Sequence, residues 1–248
     1  MHGSNNSVIN VGGDSGIRRA VALAFAREAC QVTITHLAKE QADAEEVQKA
    51  AASAPHGVKE IHTVPADLKS RDEAQRMVAK HVDEYGGLNI LVNNASMQVQ
   101  CKALEDIDLD VVEQKFQTSI IDMLAMAKFS LPHMKRGSTI INAFLSRHRR
   151  EVLAWSTMPR PKASLRELTC RDSCPAWYQV CAVALGSVFA PLEPASRTPE
   201  QMEGWGVEAL LLHGRPGQPA ELAASYVYLA DAGSNNIMTG QVLHLISG

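Results

Sequence analysis

Apolar positions along the first 143 residues alternate between short solid runs and helical stripes. Residues 7–11 read as a strand, and 17–30 follow with Ile17, Ala20, Val21, Ala24 and Phe25 on one helical face. A second strand at 31–35 precedes an Ala/Glu/Gln-rich helix at 39–53, and 58–64 predicts a third strand. Ser70 with Glu73 three residues on has the pattern of a capping box. Met77, Val78, His81, Val82 and Tyr85 carry that helix to a stop at Gly86-Gly87. Residues 88–92 are apolar at all but Asn89, as expected for a strand buried on both faces. One long helix is predicted over 110–134, with Val112, Phe116, Ile120, Met123, Ala127 and Leu131 as its stripe. A fifth strand follows at 139–142. Strands at 179–184 and 241–246 then flank helices at 198–212 and 219–231. Strands alternating with helices at this spacing predict one α/β domain over residues 1–248, doubly wound around a mostly parallel sheet.

Composition narrows the setting more than the function. At 46% apolar and 21% charged residues the chain is neither disordered nor fibrous. A net charge of −3 supplies no basic footprint for nucleic acid or an anionic membrane surface. No apolar run approaches the ~20 residues that span a bilayer. The polar first residues lack a secretory layout, and five cysteines without framework spacing suit a reducing compartment. The expectation is a cytoplasmic protein with a small-molecule substrate and no nucleic-acid or membrane partner.

Candidate chemistry starts at Val11-Gly12-Gly13-Asp14-Ser15-Gly16-Ile17-Arg18, between the first strand and the first helix. A glycine-rich turn in that position lets backbone amides approach a pyrophosphate at the helix N-terminus. Asp67-Leu68 follows the third strand and Asn93-Asn94-Ala95-Ser96 the fourth. Gly214-Arg215-Pro216-Gly217-Gln218-Pro219, Tyr228-Leu229-Ala230 and Thr239-Gly240-Gln241-Val242 come near the end. In these motifs and their order, over residues 7–143 and 179–246, the chain resembles the classical short-chain dehydrogenase/reductase family. The resemblance implies a Rossmann-like fold and hydride transfer with NAD or NADP. It also implies Gly12, Ser15, Gly16, Ile17, Arg18, His36, Asp67, Asn93 and Ala95 as cofactor-binding positions. NAD-specific members carry a carboxylate at the end of the second strand, where this chain has Thr35-His36-Leu37. The cofactor implied is therefore NADP, with binding expected to be weak or lost. The family's oligomer contacts would come from the long helix and the last strand, giving a homo-oligomer.

The chain departs from the family in its chemistry. Arg18 stands at the third glycine of the turn, where a Cβ crowds helix, strand and cofactor. Its side chain has three options: to point outward, to bond a phosphate, or to fill the groove. Val11 replaces a threonine whose hydroxyl ties the turn together. Of the family's Asn, Ser, Tyr and Lys, the first falls at Ser119. Alignment by length puts Ser at Leu145, beside Ser146, Tyr at Met158 and Lys at Lys162. A methionine has no proton to give. Residues 144–178 also carry six arginines, and Pro159 and Pro161 predict that the family's long helix is broken there. A pair of compensating frame shifts and a remodelled substrate wall both fit this segment.

Three functions follow as expectations. The first is a non-redox isomerase, dehydratase or cyclase for a small apolar metabolite, with Arg18, Ser119, Ser146, His148 and Lys162 as its polar groups and classical dehydrogenase activity absent or weak. The second is an NADP-dependent carbonyl reductase whose acid is displaced to Ser146 or Lys162. The third is a catalytically inactive homologue serving as a partner subunit. Cys170 and Cys174 with His148 are too poorly spaced for a zinc site, so no metal is expected.

Overall fold

The computed structural model describes residues 6–53, 60–67, 70–95, 104–145, 178–191, 194, 199–203 and 214–245. Its first unit is β1 (Ser7–Val11), α1 (Gly16–Arg27) and β2 (Gln31–His36). Next come α2 (Gln41–Ala52), β3 (His62–Pro65), α3 (Arg71–Tyr85) and β4 (Leu88–Asn93). Beyond these lie α4 (Leu109–Phe116), α5 (Asp122–Ser130), β5 (Met134–Leu145) and β6 (Gln179–Leu185). The last elements are α6 (Pro199–Met202), α7 (Pro219–Ala230), α8 (Ala232–Asn235) and β7 (Val242–Leu245). All seven strands pair in parallel, in the order β3-β2-β1-β4-β5-β6-β7. This is the doubly wound, Rossmann-like α/β fold that the alternation predicts.

Successive strand residues enter opposite faces of the sheet, as the two-residue strand period requires. Val8, Val32, Ile34, Ile90 and Val92 pack with Val21 and Phe25 of α1, Val47 of α2 and Leu229 of α7. Ile9, Leu91 and Ile140 pack on the other face with Met77 and Val78 of α3 and Met126 of α5. Asn89, the polar exception in β4, accepts the Ser7 N–H through Oδ1 at 3.0 Å, and so ties the starts of two neighbouring strands.

Two local expectations change. The helix predicted over 110–134 is split by a π-turn at Gln117–Ile121, and its end winds into a 3₁₀ turn at Leu131–His133. Gln117 Nε2 donates to Asp122 Oδ1 at 2.7 Å across the widened turn, and Met134 already begins β5. The capping box does not form. Ser70 makes no side-chain cap bond, and the Glu73 carboxylate that would accept the Ser70 N–H is taken by Arg76. α3 does stop where predicted, at Gly86 in the left-handed region with φ +76. Of the helix predicted over 198–212, the described part is Pro199–Met202.

Candidate functional site

β1 leads to β2 and β3 on one side, whereas β4 returns to its other side, with Val11 in register with Asn93. Chain reversals of this kind leave a crevice at the carboxyl ends of the strands. A groove of about 240 Å³ lies there. Gly12, Asp14 and Arg18 form its floor, and Thr35, His36 and Leu37 come from the end of β2. Ala66 and Asp67 enter from beyond β3, Ala95 from beyond β4, and Thr118 and Asp122 from the π-turn region.

The turn is held by backbone geometry and one side chain. Gly12 has φ +71, a conformation that L side chains rarely adopt. Gly13 sits so close to β2 that an added Cβ would lie 2.2 Å from Ile34 Cγ2. Gly13 N–H donates to the Thr35 carbonyl at 2.9 Å, and Gly12 N–H donates to the Thr35 hydroxyl at 2.7 Å. The tie expected to vanish with Val11 is thus supplied from β2. Buried Asn10 donates through Nδ2 to the Arg18 carbonyl at 2.8 Å, fixing the start of α1. No acidic residue occupies the first turn of α1, so its N-terminal dipole faces the groove unopposed from within that turn.

Arg18 turns inward. A Cβ built on Gly12 would lie 2.6 Å from Arg18 Nη1 and 3.0 Å from its Cδ, so the side chain lies over the turn. His36 is 2% exposed and donates from Nδ1 to the Leu37 carbonyl at 2.9 Å. That bond leaves the lone pair of the neutral ring on Nε2. Three groove residues hold a buried polar atom with no partner among the described residues: Asp14 Oδ1, His36 Nε2 and Thr118 Oγ1. Buried polar atoms are normally bonded, so these orphans match a polar ligand. A glycine turn with positive φ, a helix N-terminus and these orphans fit a nucleotide cofactor.

The structure therefore gathers Gly12, Arg18, His36, Asp67 and Ala95 around one groove. Ser15 caps the backbone of α1 without a side-chain bond, and Gly16 and Ile17 begin the helix. Asn93 lies just outside the groove lining and donates through Nδ2 to Asn142 Oδ1 at 2.9 Å, joining β4 to β5. Ser119 lies in the π-turn with a buried hydroxyl that has no partner among the described residues, and its neighbour Thr118 reaches the groove instead. Ser146, His148, Met158 and Lys162 lie outside the described residues, as does most of 144–178. Sequence reasoning missed Thr35, Glu40, Thr118 and Asp122 as lining. Thr35 is a common strand residue, and the π-turn that places Thr118 and Asp122 has no periodic signature.

Fold and groove together define a doubly wound nucleotide-binding protein of the Rossmann-like class. A family model described as enoyl-(acyl carrier protein) reductase matches residues 11–248. The chain is 34% identical over 243 residues to an uncharacterised oxidoreductase of Bacillus subtilis, YhdF, covering 97% of this chain and 82% of that one. It is 34% identical over 238 residues to the NADPH-dependent aldehyde reductase 1 of Arabidopsis thaliana chloroplasts, covering 94% and 81%. The glucose and ribitol dehydrogenase of Daucus carota is equally similar, at 34% over 238 residues with 94% and 81% covered. Among solved structures, a short-chain dehydrogenase/reductase of Serratia marcescens superposes with TM-score 0.84 at 25% identity, covering 99% and 98%. The chain belongs to the short-chain dehydrogenase/reductase family.

These relatives overturn the expectation of a non-redox isomerase, dehydratase or cyclase, since they are named as oxidoreductases, reductases and dehydrogenases. That expectation gave a few substituted side chains more weight than a cofactor-side pattern retained over most of the chain. Among the described residues, no helix is long and apolar enough to cross a membrane.

Proposed function

We propose that the protein is an NADP(H)-linked oxidoreductase that interconverts a small aldehyde or ketone with its alcohol. The observation that carries this reading is 34% identity, over 94% of the chain, to an NADPH-dependent aldehyde reductase. The groove supports it. The N-terminus of α1, positioned by the Gly12-Gly13 turn, would hold the cofactor's diphosphate. Leu37, Ala66 and Ala95, which line the groove, would flank the base, and the Asp67 carboxylate would accept from its amine. At the ribose, His36 stands where a carboxylate would repel a 2′-phosphate. Bound NADPH supplies the hydride. The chain supplies the proton, with Ser146 and Lys162 as the candidate donors from 144–178. Leu145 and Met158, at the family's Ser and Tyr positions, keep turnover about 10²–10⁴-fold below members with the full set. Leu109 and Phe116 of α4, 72% and 45% exposed, supply an apolar surface for a homo-oligomer. We place the protein in the cytoplasm, without nucleic-acid or membrane partners.

The test is consumption of NADPH, read by its absorbance, with a panel of small aldehydes and sugars, and the reverse reaction with NADP⁺ and polyols. Slow but saturable turnover above the enzyme-free rate is expected. No transfer in either direction sinks the proposal.

A further inference from the structure

The groove is open on one side of the glycine turn and blocked on the other. Its open part follows the ends of β1, β2, β3 and β4, where Leu37, Ala66, Asp67 and Ala95 stand. Over the turn itself lies the Arg18 side chain, with Nη1 2.6 Å from where a Gly12 Cβ would be. Further along α1, the chain after β6 comes in. A Cβ on Gly16 would meet Pro191 Cδ at 3.2 Å and Ala190 Cβ at 3.3 Å. The space left, about 240 Å³, is small against the roughly 300–1,000 Å³ of ordinary ligand pockets. It suits half a dinucleotide.

We propose that Arg18 divides this groove, making it a site for an adenosine 5′-phosphate group with the guanidinium as the phosphate's partner. Free adenine mononucleotide then competes with the dinucleotide, which must displace the side chain to reach the β5–β6 side. The inference rests on the dinucleotide reading above and adds a ligand to it. The chemistry is matched at each point. Apolar Leu37, Ala66 and Ala95 face a planar base, and Asp67 accepts from its amine. His36 Nε2, whose lone pair is fixed by the Nδ1–H bond to Leu37, accepts a ribose hydroxyl. Among the described residues no carboxylate pairs with Arg18, so its charge is available to an anion at the turn. A guanidinium and phosphate form charge-assisted, often bidentate bonds. For a mononucleotide, Arg18 need not move. For a dinucleotide, the same side chain stands over the turn that the diphosphate must approach.

The experiment is titration calorimetry of AMP and of NADPH against the full-length wild type and Arg18→Gly. Arg18→Met serves as a second variant for AMP, because glycine inside a helix itself costs stability; thermal melts report folding. Wild type is expected to bind AMP within tenfold of NADPH. Both variants should bind AMP at least tenfold more weakly, and Arg18→Gly should bind NADPH at least tenfold more tightly, about 1.4 kcal/mol. Weaker NADPH binding by Arg18→Gly would make the guanidinium a diphosphate ligand, overturning the division while leaving the oxidoreductase reading intact. Unchanged AMP binding in the variants also overturns it. If neither protein binds NADPH, the cofactor reading falls and takes this inference with it.

Discussion

The two shoulders of the groove are built on different terms. On the β2–β3 shoulder, recognition rests on the backbone: the start of α1, held in place by the Gly12 and Gly13 N–H bonds to Thr35 and by the packing of Gly13 on Ile34. On the β5 shoulder, the family's chemistry rests on single side chains, and Asn142-Ala143-Phe144-Leu145 ends β5 without a hydroxyl. A backbone site tolerates substitution so long as the turn keeps its shape. Val11 lost a hydroxyl, yet Thr35 from the next strand holds the Gly12 amide. Proton transfer has no such reserve, since a side chain without a proton cannot be replaced by geometry. Binding should therefore outlast catalysis in this chain.

Crowding the backbone shoulder should give the largest effect on stability. In Gly13→Ala the new Cβ would stand 2.2 Å from Ile34 Cγ2 and 2.3 Å from Ile34 Cβ, and the latter is anchored to the strand. We expect a loss of about 3 kcal/mol, typical of overpacking, by denaturant unfolding, together with loss of NADPH binding. The strain should be partly relieved in Gly13→Ala/Ile34→Ala, giving a coupling of about 1 kcal/mol or more. Strictly additive losses would mean that the turn moves aside freely and that the shoulder is not rigid.

Acid should also weaken this shoulder. His81 of α3 is fully buried, and its Nδ1 lies 2.8 Å from Thr33 Oγ1 of β2. Burial, reinforced by nearby His62, pushes its pKa down from 6.5 to about 4. Above the ordinary value both folded and unfolded chains carry a neutral ring, so His81 gives no pH dependence there. Below it the unfolded chain takes up a proton that the folded chain refuses. Stability then falls as pH drops from about 6.5 to about 4, by roughly 3 kcal/mol in total. Unfolding curves at pH 7 and pH 4.5 should show this slope in wild type and a shallower one in His81→Gln. Equal slopes would remove His81 from the acid response.

Removing the substitute tie should cost less. Thr35→Val keeps the shape but leaves the buried Gly12 N–H without its acceptor. A stranded buried donor costs about 1–3 kcal/mol, so we expect roughly 2 kcal/mol and weaker NADPH binding. In a Val11→Thr background the loss should shrink, because the new hydroxyl lies at the turn. If Thr35→Val is silent in both backgrounds, the amide is held by something else.

What the sequence revealed divides along the same line. The parallel sheet was legible because strands buried on both faces, such as 88–92, leave solid apolar runs. The glycine turn was legible because its residues are chemically unusual and adjacent. Thr35 was not, since its role depends on the register of β2 with β1, which no local pattern encodes. The break between α4 and α5 was hidden as well. The apolar stripe runs through it, and the hydrogen bond from Gln117 to Asp122 that spans the π-turn follows no helical rule. The non-redox expectation fails for a related reason: the missing hydroxyls of the β5 shoulder say nothing of the cofactor side, and the relatives matched over most of the chain are named as oxidoreductases, reductases and dehydrogenases.

The smallest effect sharpens the comparison at two helix starts, one on each side of β4. Ser70 before α3 has the capping sequence but makes no cap bond, and Arg76 holds the Glu73 carboxylate. Asp108 before α4 lacks the paired glutamate, yet its Oδ1 accepts from Asp110 N–H at 2.9 Å and from Val111 N–H at 3.4 Å. A working N-cap is worth about 1 kcal/mol when replaced by alanine, and its negative charge also suits the helix N-terminus. Asp108→Ala should therefore lower stability by about 1 kcal/mol, whereas Ser70→Ala should change it by no more than a few tenths. Arg76→Ala would release Glu73 to accept the Ser70 backbone N–H, a bond that alanine at position 70 keeps, so Ser70→Ala should stay within a few tenths in that background too. Denaturant unfolding of the four variants decides it. Equal losses for Ser70→Ala and Asp108→Ala in the wild-type background would show that the capping sequence, rather than the bond found in the fold, governs these helix starts.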